Sequence, residues 1–250
     1  MKKIYGIIGN PLAQSASPAF FNKKFTAECI EAQYLPFELQ SIEELPEILK
    51  QQPTLCGFNV TIPYKLQVMN YLESMSDEAR AINAVNVVKV LHDSDGTPHL
   101  KGYNSDVIGF SRSIAPLLGA DDIKALVLGT GGASKAIIYA LQQLGLEVQS
   151  VSRTANANAI AYSDITPEIM ATHTVIVNCT PLGMTGHGID KCPDIPYNLL
   201  TSNHILYDIV YNPEETLFLK NGKEKGARTK SGYEMWYLQA LASWEIWNNE

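Results

Sequence analysis

Short apolar runs alternate with helix-like hydrophobic patterns along the first half of the chain. The apolar runs predict strands at residues 4–9, 34–38, 55–60, 84–91 and 99–102, the last two forming a hairpin across 93–97. The helical patterns predict helices at 17–29, 42–50 and 105–118, and one more that begins at Pro63. Regular alternation of strands and helices is typical of α/β proteins with mostly parallel sheets.

A second series of elements begins near Lys124. It predicts strands at 125–128, 147–151, 175–178 and 205–209, and helices at 133–144, 214–223 and 233–247. The first half lacks a helix for one face of its sheet, so we expect the last helix to return to it. The fold class is α/β, and the predicted domains are 1–104 together with 232–250, and 105–231.

Composition narrows the functional classes. Hydrophobic residues make up 46% of the 250 residues, which is enough for a buried core. A formal net charge of −7 without a basic cluster argues against nucleic acid as a partner. The apolar runs are too short to span a bilayer and the N-terminus lacks a signal-peptide pattern, so we expect a cytoplasmic protein without a membrane partner. The four cysteines and five histidines match no metal-ligand spacing, and we expect no metal.

A glycine-rich turn joins a predicted strand to a predicted helix at 129–134. Gly129 permits a tight turn, Gly131 allows a backbone to approach a pyrophosphate, and Ser134 is small enough for close helix–strand packing. The helix that follows offers free N–H groups and the positive end of its dipole. This context favours a dinucleotide site, and the alternative is a glycine turn in an ordinary βαβ unit.

The end of the next predicted strand bears on the choice of cofactor. An NAD site usually places an acidic residue there to bind the ribose 2′-hydroxyl, whereas this chain has Ser152, Arg153 and Thr154. A guanidinium and hydroxyl groups bind a 2′-phosphate, so the pattern favours NADP. The alternative is a solvated arginine after a strand.

Lys65 occupies an unusual predicted position. Because Pro63 is expected to begin a helix, Lys65 would lie in the first turn, where its charge opposes the helix dipole. Such a lysine loses part of its preference for the charged form, which suits proton transfer. The alternative is an ordinary surface lysine. Asp106 opens another predicted helix, where capping alone would also select an acidic residue.

Further polar residues lie at predicted strand ends and helix starts. Ser17 is expected to be the N-cap of a helix whose first residue is Pro18, whereas Ser15 is not explained by that cap. Hydroxyl groups beside a helix N-terminus can bind a carboxylate. Open α/β sheets bind ligands at their strand ends, and polar residues found there, or in otherwise apolar surroundings, are Asn59, Thr61, Asn86, Tyr211 and Gln239.

Taken together, these motifs resemble the shikimate dehydrogenase family. The resemblance is carried by residues 9–18, 59–65, 84–86, 102–109, 129–136, 152–154, 180–184, 207–219 and 231–240. It implies an open α/β substrate domain (1–104 with 232–250) and a Rossmann-type NADP-binding domain (105–231), with a cleft between them. It also implies NADP-dependent interconversion of 3-dehydroshikimate and shikimate, in the shikimate pathway of aromatic amino-acid biosynthesis.

The resemblance also assigns roles by position. Lys65 and Asp106 match the catalytic pair. The residues that match shikimate contacts are Ser15, Ser17, Asn59, Thr61, Asn86, Tyr211 and Gln239. Those that match the NADP site are Gly129, Gly131, Gly132, Ala133, Ser152, Arg153 and Thr154, with Met184 near the nicotinamide.

The segment after Thr154 departs from the family pattern. A second basic residue and a full helix are expected there, but only about twenty residues precede the next strand, so a helix is predicted to be missing or reduced. A quinate/shikimate dehydrogenase with relaxed cofactor use, a non-catalytic sensor and a methylene-tetrahydrofolate dehydrogenase are the alternatives. The protein is expected to be a monomer or homodimer.

Overall fold

The computed structural model describes residues 2–13, 15–186 and 188–249 of the chain. These residues form two compact units. One consists of Met1–Ser105 with Ala240–Glu250, and the other of Asp106–Gln239.

The first unit is built on a mixed six-stranded sheet. Its strands are β1 (Lys3–Gly9), β2 (Ala32–Glu38), β3 (Leu55–Val60), β4 (Ser74–Met75), β5 (Val87–His92) and β6 (Pro98–Tyr103), in the order β2-β1-β3-β5-β6-β4. β1 is parallel to β2 and β3, but β5 is antiparallel to both β3 and β6. The expectation of mostly parallel strands therefore fails on the β5 side, because the predicted hairpin reverses the chain there.

Helices α1 (Ser17–Ala27), α2 (Leu45–Gln51) and α3 (Asp77–Ile82) belong to this unit, with 3₁₀ turns at Ile42–Glu44 and Gln67–Tyr71. The N-cap of α1 is Ala16, so the prediction that Ser17 caps this helix is wrong. Ser17 is the first helical residue and is buried. No α-helix begins at Pro63 either, because the segment there forms turns that lead into the second 3₁₀ stretch.

The last part of the C-terminal helix, α8 (Tyr233–Asn248), covers one face of the first sheet, as the pattern predicted. Trp247 is buried among Tyr5, Phe21 and Tyr34, and its indole N–H donates to the carbonyl of Val88 at 3.0 Å. Burying rings of this size contributes strongly to folding, since each removes a large apolar area from water. The returning helix is thus part of this unit's core.

The second unit contains an all-parallel sheet. Its strands are β7 (Lys124–Leu128), β8 (Glu147–Ser152), β9 (Ile160–Ala161), β10 (Val175–Asn178), β11 (Ile205–Asp208) and β12 (Arg228–Lys230), in the order β12-β11-β10-β7-β8-β9. The order reverses between β7 and β10. This is the doubly wound Rossmann arrangement, in which ligands bind at the carboxyl ends of the two strands where the order reverses.

The helices of the second unit are α4 (Asp106–Ile114), α5 (Gly132–Gln143), α6 (Pro167–Thr172), α7 (Leu217–Glu224) and the first part of α8. α4 ends four residues earlier than the predicted 105–118, in a 3₁₀ turn that contains Pro116. α6 has only six residues, so the prediction of a reduced helix after Thr154 is confirmed. Within the described ranges, no helix combines the length and apolar character that crossing a membrane requires.

Candidate active site

In the first unit, several polar residues predicted at strand ends lie together at one end of the sheet's strands. Asn59 lies near the carboxyl end of β3 and Thr61 follows it, while Asn86 directly precedes the antiparallel strand β5. The amide of Thr61 donates to the carbonyl of Ile8 at 3.0 Å, and the amide of Val60 donates to that of Asn86 at 2.8 Å. Ser15 and Ser17 stand in the segment that leaves β1 at the same end.

A buried hydrogen-bond chain connects Ser17 with Asn59. Ser17 hydrogen-bonds the Tyr34 hydroxyl, which in turn donates to Oδ1 of Asn59 at 2.8 Å. Burial raises the pKa of Tyr34 well above its usual range, an effect that the Ser17 hydrogen bond only partly offsets. The phenol therefore stays protonated and remains a donor at physiological pH.

Both amide hydrogens of Asn59 are engaged within the protein. Its Nδ2 donates to the Asn86 carbonyl at 3.3 Å and to Oγ of Ser243, in α8, at 2.9 Å. Because an asparagine amide has only two donors, Asn59 orients its neighbours with both of them. Its role as a substrate contact stays a prediction.

Asn86 holds the backbone at the start of α4. Its Oδ1 accepts from the amide of Ser105 at 2.7 Å, and its Nδ2 donates to Oγ of Ser105 at 3.1 Å. The Ser105 and Ser243 hydroxyls lie 3.1 Å apart, and both residues are fully buried. Ser105 ends this part of the first unit, and Asp106 follows it in the chain.

Lys65 lies in a turn rather than in an α-helix, which corrects the prediction. The Ile62–Pro63 peptide is cis, and the amide of Tyr64 closes a turn onto the carbonyl of Thr61 at 2.9 Å. The buried Tyr64 ring anchors this turn, because its hydroxyl donates to the carbonyl of Leu39 at 2.7 Å. The argument from the helix dipole therefore does not apply to the partly buried Lys65.

Asp106 is the first residue of α4, as predicted, and is buried in the second unit. Its negative charge helps to raise the pKa of the Cys179 thiol, although burial of that thiol is the larger cause. Cys179 directly follows β10. Asp106 therefore lies within electrostatic reach of the end of β10, one of the two strands at which the order of the sheet reverses.

The glycine turn has the geometry that a dinucleotide requires. Gly129 has a φ of +103°, which favours glycine, and its amide donates to the carbonyl of Val151 at 2.8 Å. Gly131 is the N-cap of α5, and a Cβ built there meets nothing within 4 Å. The buried Ser134 donates to the carbonyl of Gly131 at 2.7 Å. Gly132 and Ala133 begin the helix, so its N-terminus adjoins the open space at Gly131, an arrangement that favours a bound anion.

Ser152, Arg153 and Thr154 follow one another at the carboxyl end of β8. The hydroxyl of Ser152 donates to the carbonyl of Thr154, which holds a bend that exposes Arg153. The positive charge of Arg153 lowers the pKa of Tyr162, although burial raises that pKa to about 12 overall. No carboxylate occupies the three positions of this bend, which therefore suits a 2′-phosphate.

The remaining predicted residues all lie in the second unit. Met184 is half-buried in the loop after β10, where its amide donates to the carbonyl of Pro181 at 3.1 Å. The ring of Tyr211 stacks on Trp236 of α8 with centroids 5.4 Å apart. Gln239 lies on α8 and packs against Gly109 of α4. A Cβ built at Gly109 would lie 3.0 Å from the Cβ of Gln239. Gly109 lies one helical turn after Asp106 on α4. Gln239 therefore packs against α4 one turn away from Asp106.

Sequence reasoning missed two groups of polar residues. One is the buried set formed by Tyr34, Ser105 and Ser243 in the first unit. The other surrounds Asp208 at the end of β11 and includes Asn178, Thr180 and Thr216. A polar residue that ends an otherwise apolar run, as in Asn178 and Asp208, was the available signal. Among the described residues, no cluster of three or more His, Cys, Asp or Glu side chains is arranged to hold a metal ion.

Comparison with known proteins places this geometry in a family context. Residues 7–88 match the family model described as the shikimate dehydrogenase substrate binding domain. A curated relative from Aquifex aeolicus, named shikimate dehydrogenase (NADP(+)), is 38% identical over 258 residues, covering 98% of this chain and 91% of the relative. The similarity therefore extends through both units.

Solved structures are similar over the same extent. A shikimate 5-dehydrogenase from Thermus thermophilus, in complex with NADP(H) and shikimate, matches with a TM-score of 0.84 at 29% identity, covering 99% of this chain and 94% of that one. A quinate dehydrogenase from Corynebacterium glutamicum, in complex with NAD, matches with a TM-score of 0.85 at 26% identity, covering 100% and 94%.

Proposed function

The chain belongs to the shikimate dehydrogenase family, and from that premise we propose that it interconverts 3-dehydroshikimate and shikimate with NADP as the hydride carrier. The observation that carries the proposal is the match to an NADP-dependent relative along 98% of the chain. The open glycine turn at the N-terminus of α5 supports it from the structure.

Two residues are proposed to manage the proton of the reaction. When bound, NADPH supplies the hydride that reduces the C3 ketone. Lys65 gives a proton to the oxygen that becomes the C3 hydroxyl, and takes it back in the reverse direction. Asp106 accepts hydrogen bonds from the lysine and from a substrate hydroxyl, which keeps both groups oriented.

The other predicted residues bind and orient. The hydroxyls of Ser15 and Ser17 take the carboxylate of shikimate, and Thr61, Asn86, Tyr211 and Gln239 take its ring hydroxyls. Asn59 supports this set through Asn86 and Tyr34, to which it is already hydrogen-bonded.

The same assignment covers the cofactor. Gly129, Gly131, Gly132 and Ala133 hold the pyrophosphate at the N-terminus of α5, where N–H groups and the helix dipole favour negative charge. Ser152, Arg153 and Thr154 bind the 2′-phosphate, and Met184 packs near the nicotinamide ring.

The test is a direct assay of the purified protein. Shikimate is offered with NADP or with NAD, and the absorbance of the reduced nicotinamide is followed. We expect reduction of NADP with a higher kcat/KM than that of NAD. Failure to reduce either cofactor, in protein shown to be folded by circular dichroism, overturns the proposal.

Quinate is the second candidate substrate. The similarity to a quinate dehydrogenase in complex with NAD favours it, whereas the short α6 on the cofactor side bears on the choice between NADP and NAD. The same assay with quinate in place of shikimate decides between the two, because the better substrate has the larger kcat/KM. We further propose a cytoplasmic enzyme that is a monomer or homodimer, which gel filtration with light scattering resolves.

A further inference from the structure

Asp208 is a buried carboxylate that the proposed mechanism does not use. It ends β11 with no exposed surface. Its Oδ1 accepts from Nδ2 of Asn178 at 3.0 Å and from the amide of Val210 at 3.0 Å, and its Oδ2 accepts from the hydroxyl of Thr216 at 2.6 Å. One side chain thus ties together the ends of β10 and β11 and the N-cap of α7.

The contact with Asn178 extends toward the glycine turn. Because a carboxylate only accepts hydrogen bonds, it requires the Nδ2 of Asn178 to face it, and Oδ1 then points the other way. That Oδ1 accepts from the Thr180 amide at 3.0 Å and from the Thr180 hydroxyl at 2.7 Å. A Cβ built at Gly129 would stand 3.1 Å from the Thr180 methyl group, so Thr180 lies directly against the glycine turn.

The contact with Val210 extends toward the substrate side. Val210 immediately precedes Tyr211, whose ring stacks on Trp236. Asp208 therefore constrains two loops at once. One leads from Asn178 past Thr180 to Met184, and the other leads to Tyr211.

We propose that Asp208 is a positioning residue for the dehydrogenase reaction, whose carboxylate fixes Asn178 and Thr180 against the glycine turn and thereby sets the affinity for NADP. This inference rests on the proposed function. Asp208 itself touches neither cofactor nor substrate in the proposal and acts through Asn178 and Val210.

The protonation of Asp208 gives the proposal a measurable signature. Burial raises the pKa of Asp208 to about 6, although its hydrogen bonds with Thr216, Val210 and Asn178 each lower it. The charged form therefore predominates above about pH 6 and is lost as the pH falls through that value. Protonation converts one carboxylate oxygen to a hydroxyl and removes an acceptor from the network.

The titratable groups that face Asp208 do not compete with this signal. Cys179, Tyr197 and Tyr207 feel its charge, and burial raises the pKa of each above its usual range, so all three stay neutral between pH 5 and 8. Two further carboxylates act on these groups, Asp106 on Cys179 and Glu234 on Tyr207.

The ionised form of Asp208 does not stabilise the folded protein. A pKa raised by burial means that the native state binds a proton more tightly than the unfolded chain, so ionisation of Asp208 lowers stability as the pH rises from 4 to 7. We therefore expect Asp208→Asn, which keeps the shape but replaces the charged acceptor for Asn178 and Val210 with a neutral one, to melt no lower than the wild type at pH 8.

The first experiment compares wild type and Asp208→Asn from pH 5 to 8. The readouts are the KM for NADP, and the Kd for NADP from quenching of tryptophan fluorescence, which does not depend on turnover. At pH 8 we expect the variant to bind NADP about tenfold more weakly, because a neutral amide oxygen holds Asn178 less firmly than a charged carboxylate oxygen does. At pH 5 we expect the two proteins to bind alike, because the wild-type carboxyl is then protonated.

The second experiment shifts the pH at which the affinity for NADP falls, instead of abolishing that fall. Thr216→Val deletes a hydrogen bond that lowers the pKa of Asp208, so the acidic fall in NADP affinity should shift to higher pH. Thr216→Ser keeps the hydroxyl and is the matched control, with the transition of the wild type.

Two results overturn the proposal. One is an Asp208→Asn protein that binds NADP as the wild type does at pH 8, and the other is a pH profile that Asp208→Asn and Thr216→Val leave in place. Both are distinct from failure of the proposed function, in which the wild type itself would neither bind NADP nor oxidise shikimate.

Discussion

At the scale of single residues, position in the hydrogen-bond network decides what a polar side chain can do. Ser17 and Asn59 are joined through Tyr34 in a buried chain. Ser15 stands outside α1, whose N-cap is Ala16, and is partly exposed. Of these side chains, Ser15 is the one best suited to bind an incoming carboxylate, because neither a cap nor full burial accounts for it.

Ser15→Ala therefore tests substrate binding. We expect the KM for shikimate to rise roughly tenfold, the effect of a lost hydrogen bond to a charged group, while the KM for NADP stays unchanged. The exposed Ser202 supplies the control variant Ser202→Ala. Equal increases in both KM values would show that Ser15 has a structural role instead.

Residue types at strand ends were predictable from sequence, but their contacts were not. Asn59 and Asn86 were identified because each polar side chain borders an apolar run. One partner of Asn59, Ser243, lies 184 positions away in the chain, and only the fold brings the two together. Lys65 does not lie in a helix, because the Tyr64 amide closes a turn onto Thr61 and the anchored Tyr64 ring holds that turn in place.

At the scale of elements, the turn between β7 and α5 contains one glycine that the backbone conformation requires and one that leaves space for the ligand. Gly129 combines a φ of +103° with a tight approach to Thr180. Gly131 has an ordinary negative φ of −78° and faces open space. The same substitution should therefore act differently at the two positions.

We expect Gly131→Ala to leave the free energy of unfolding within about 1 kcal/mol of the wild type and to raise the KM for NADP, because the new methyl group enters the space for the pyrophosphate. Gly129→Ala should lose ~1–3 kcal/mol of stability through its strained φ. Urea denaturation and initial rates measure both effects. A stable Gly131→Ala protein with unchanged KM for NADP would place the pyrophosphate elsewhere.

The bend after β8 is the element that sets cofactor preference. Arg153 is exposed there, and the reduced flank behind it ends in the six-residue helix α6. Arg153→Asp should weaken NADP far more than NAD, since a carboxylate repels the 2′-phosphate and binds the 2′-hydroxyl. The ratio of the two kcat/KM values measures this change, and an unchanged ratio would assign selectivity to other residues.

Long, strongly patterned elements were predicted well, and short ones were not. The apolar runs at β7, β10 and β11 and the helix α5 all occur close to their predicted places. β4, β9 and β12 have only two or three residues each. A strand of two or three residues is too short to show a hydrophobic period in the sequence. Only pairing with a neighbouring strand defines these three strands.

At the scale of the whole molecule, the chain builds two units of different sheet topology and shares one helix between them. The first unit has a mixed sheet whose core is completed by the end of α8, and the second has the all-parallel nucleotide-binding order. The return of α8 was predictable from a missing helix in the pattern. The buried contacts of Trp247 and Ser243 were not, because they depend on three-dimensional packing.

The two residues proposed to act on the substrate come from different units, Lys65 from the first and Asp106 from the second. Their cooperation is the central claim of the proposed mechanism. If they serve one proton transfer, their effects on the rate are not independent, as is general for groups that act as a unit.

A double-mutant cycle on kcat, with shikimate and NADP both saturating, measures that cooperation. We predict that Lys65→Ala lowers kcat by ~10²–10⁴-fold, the usual contribution of a general acid or base, and that adding Asp106→Asn to it causes little further loss. Lys50→Ala, which removes an exposed lysine, is the control. Losses that multiply in the double variant, or a folded Lys65→Ala protein with near-normal kcat, would contradict the account.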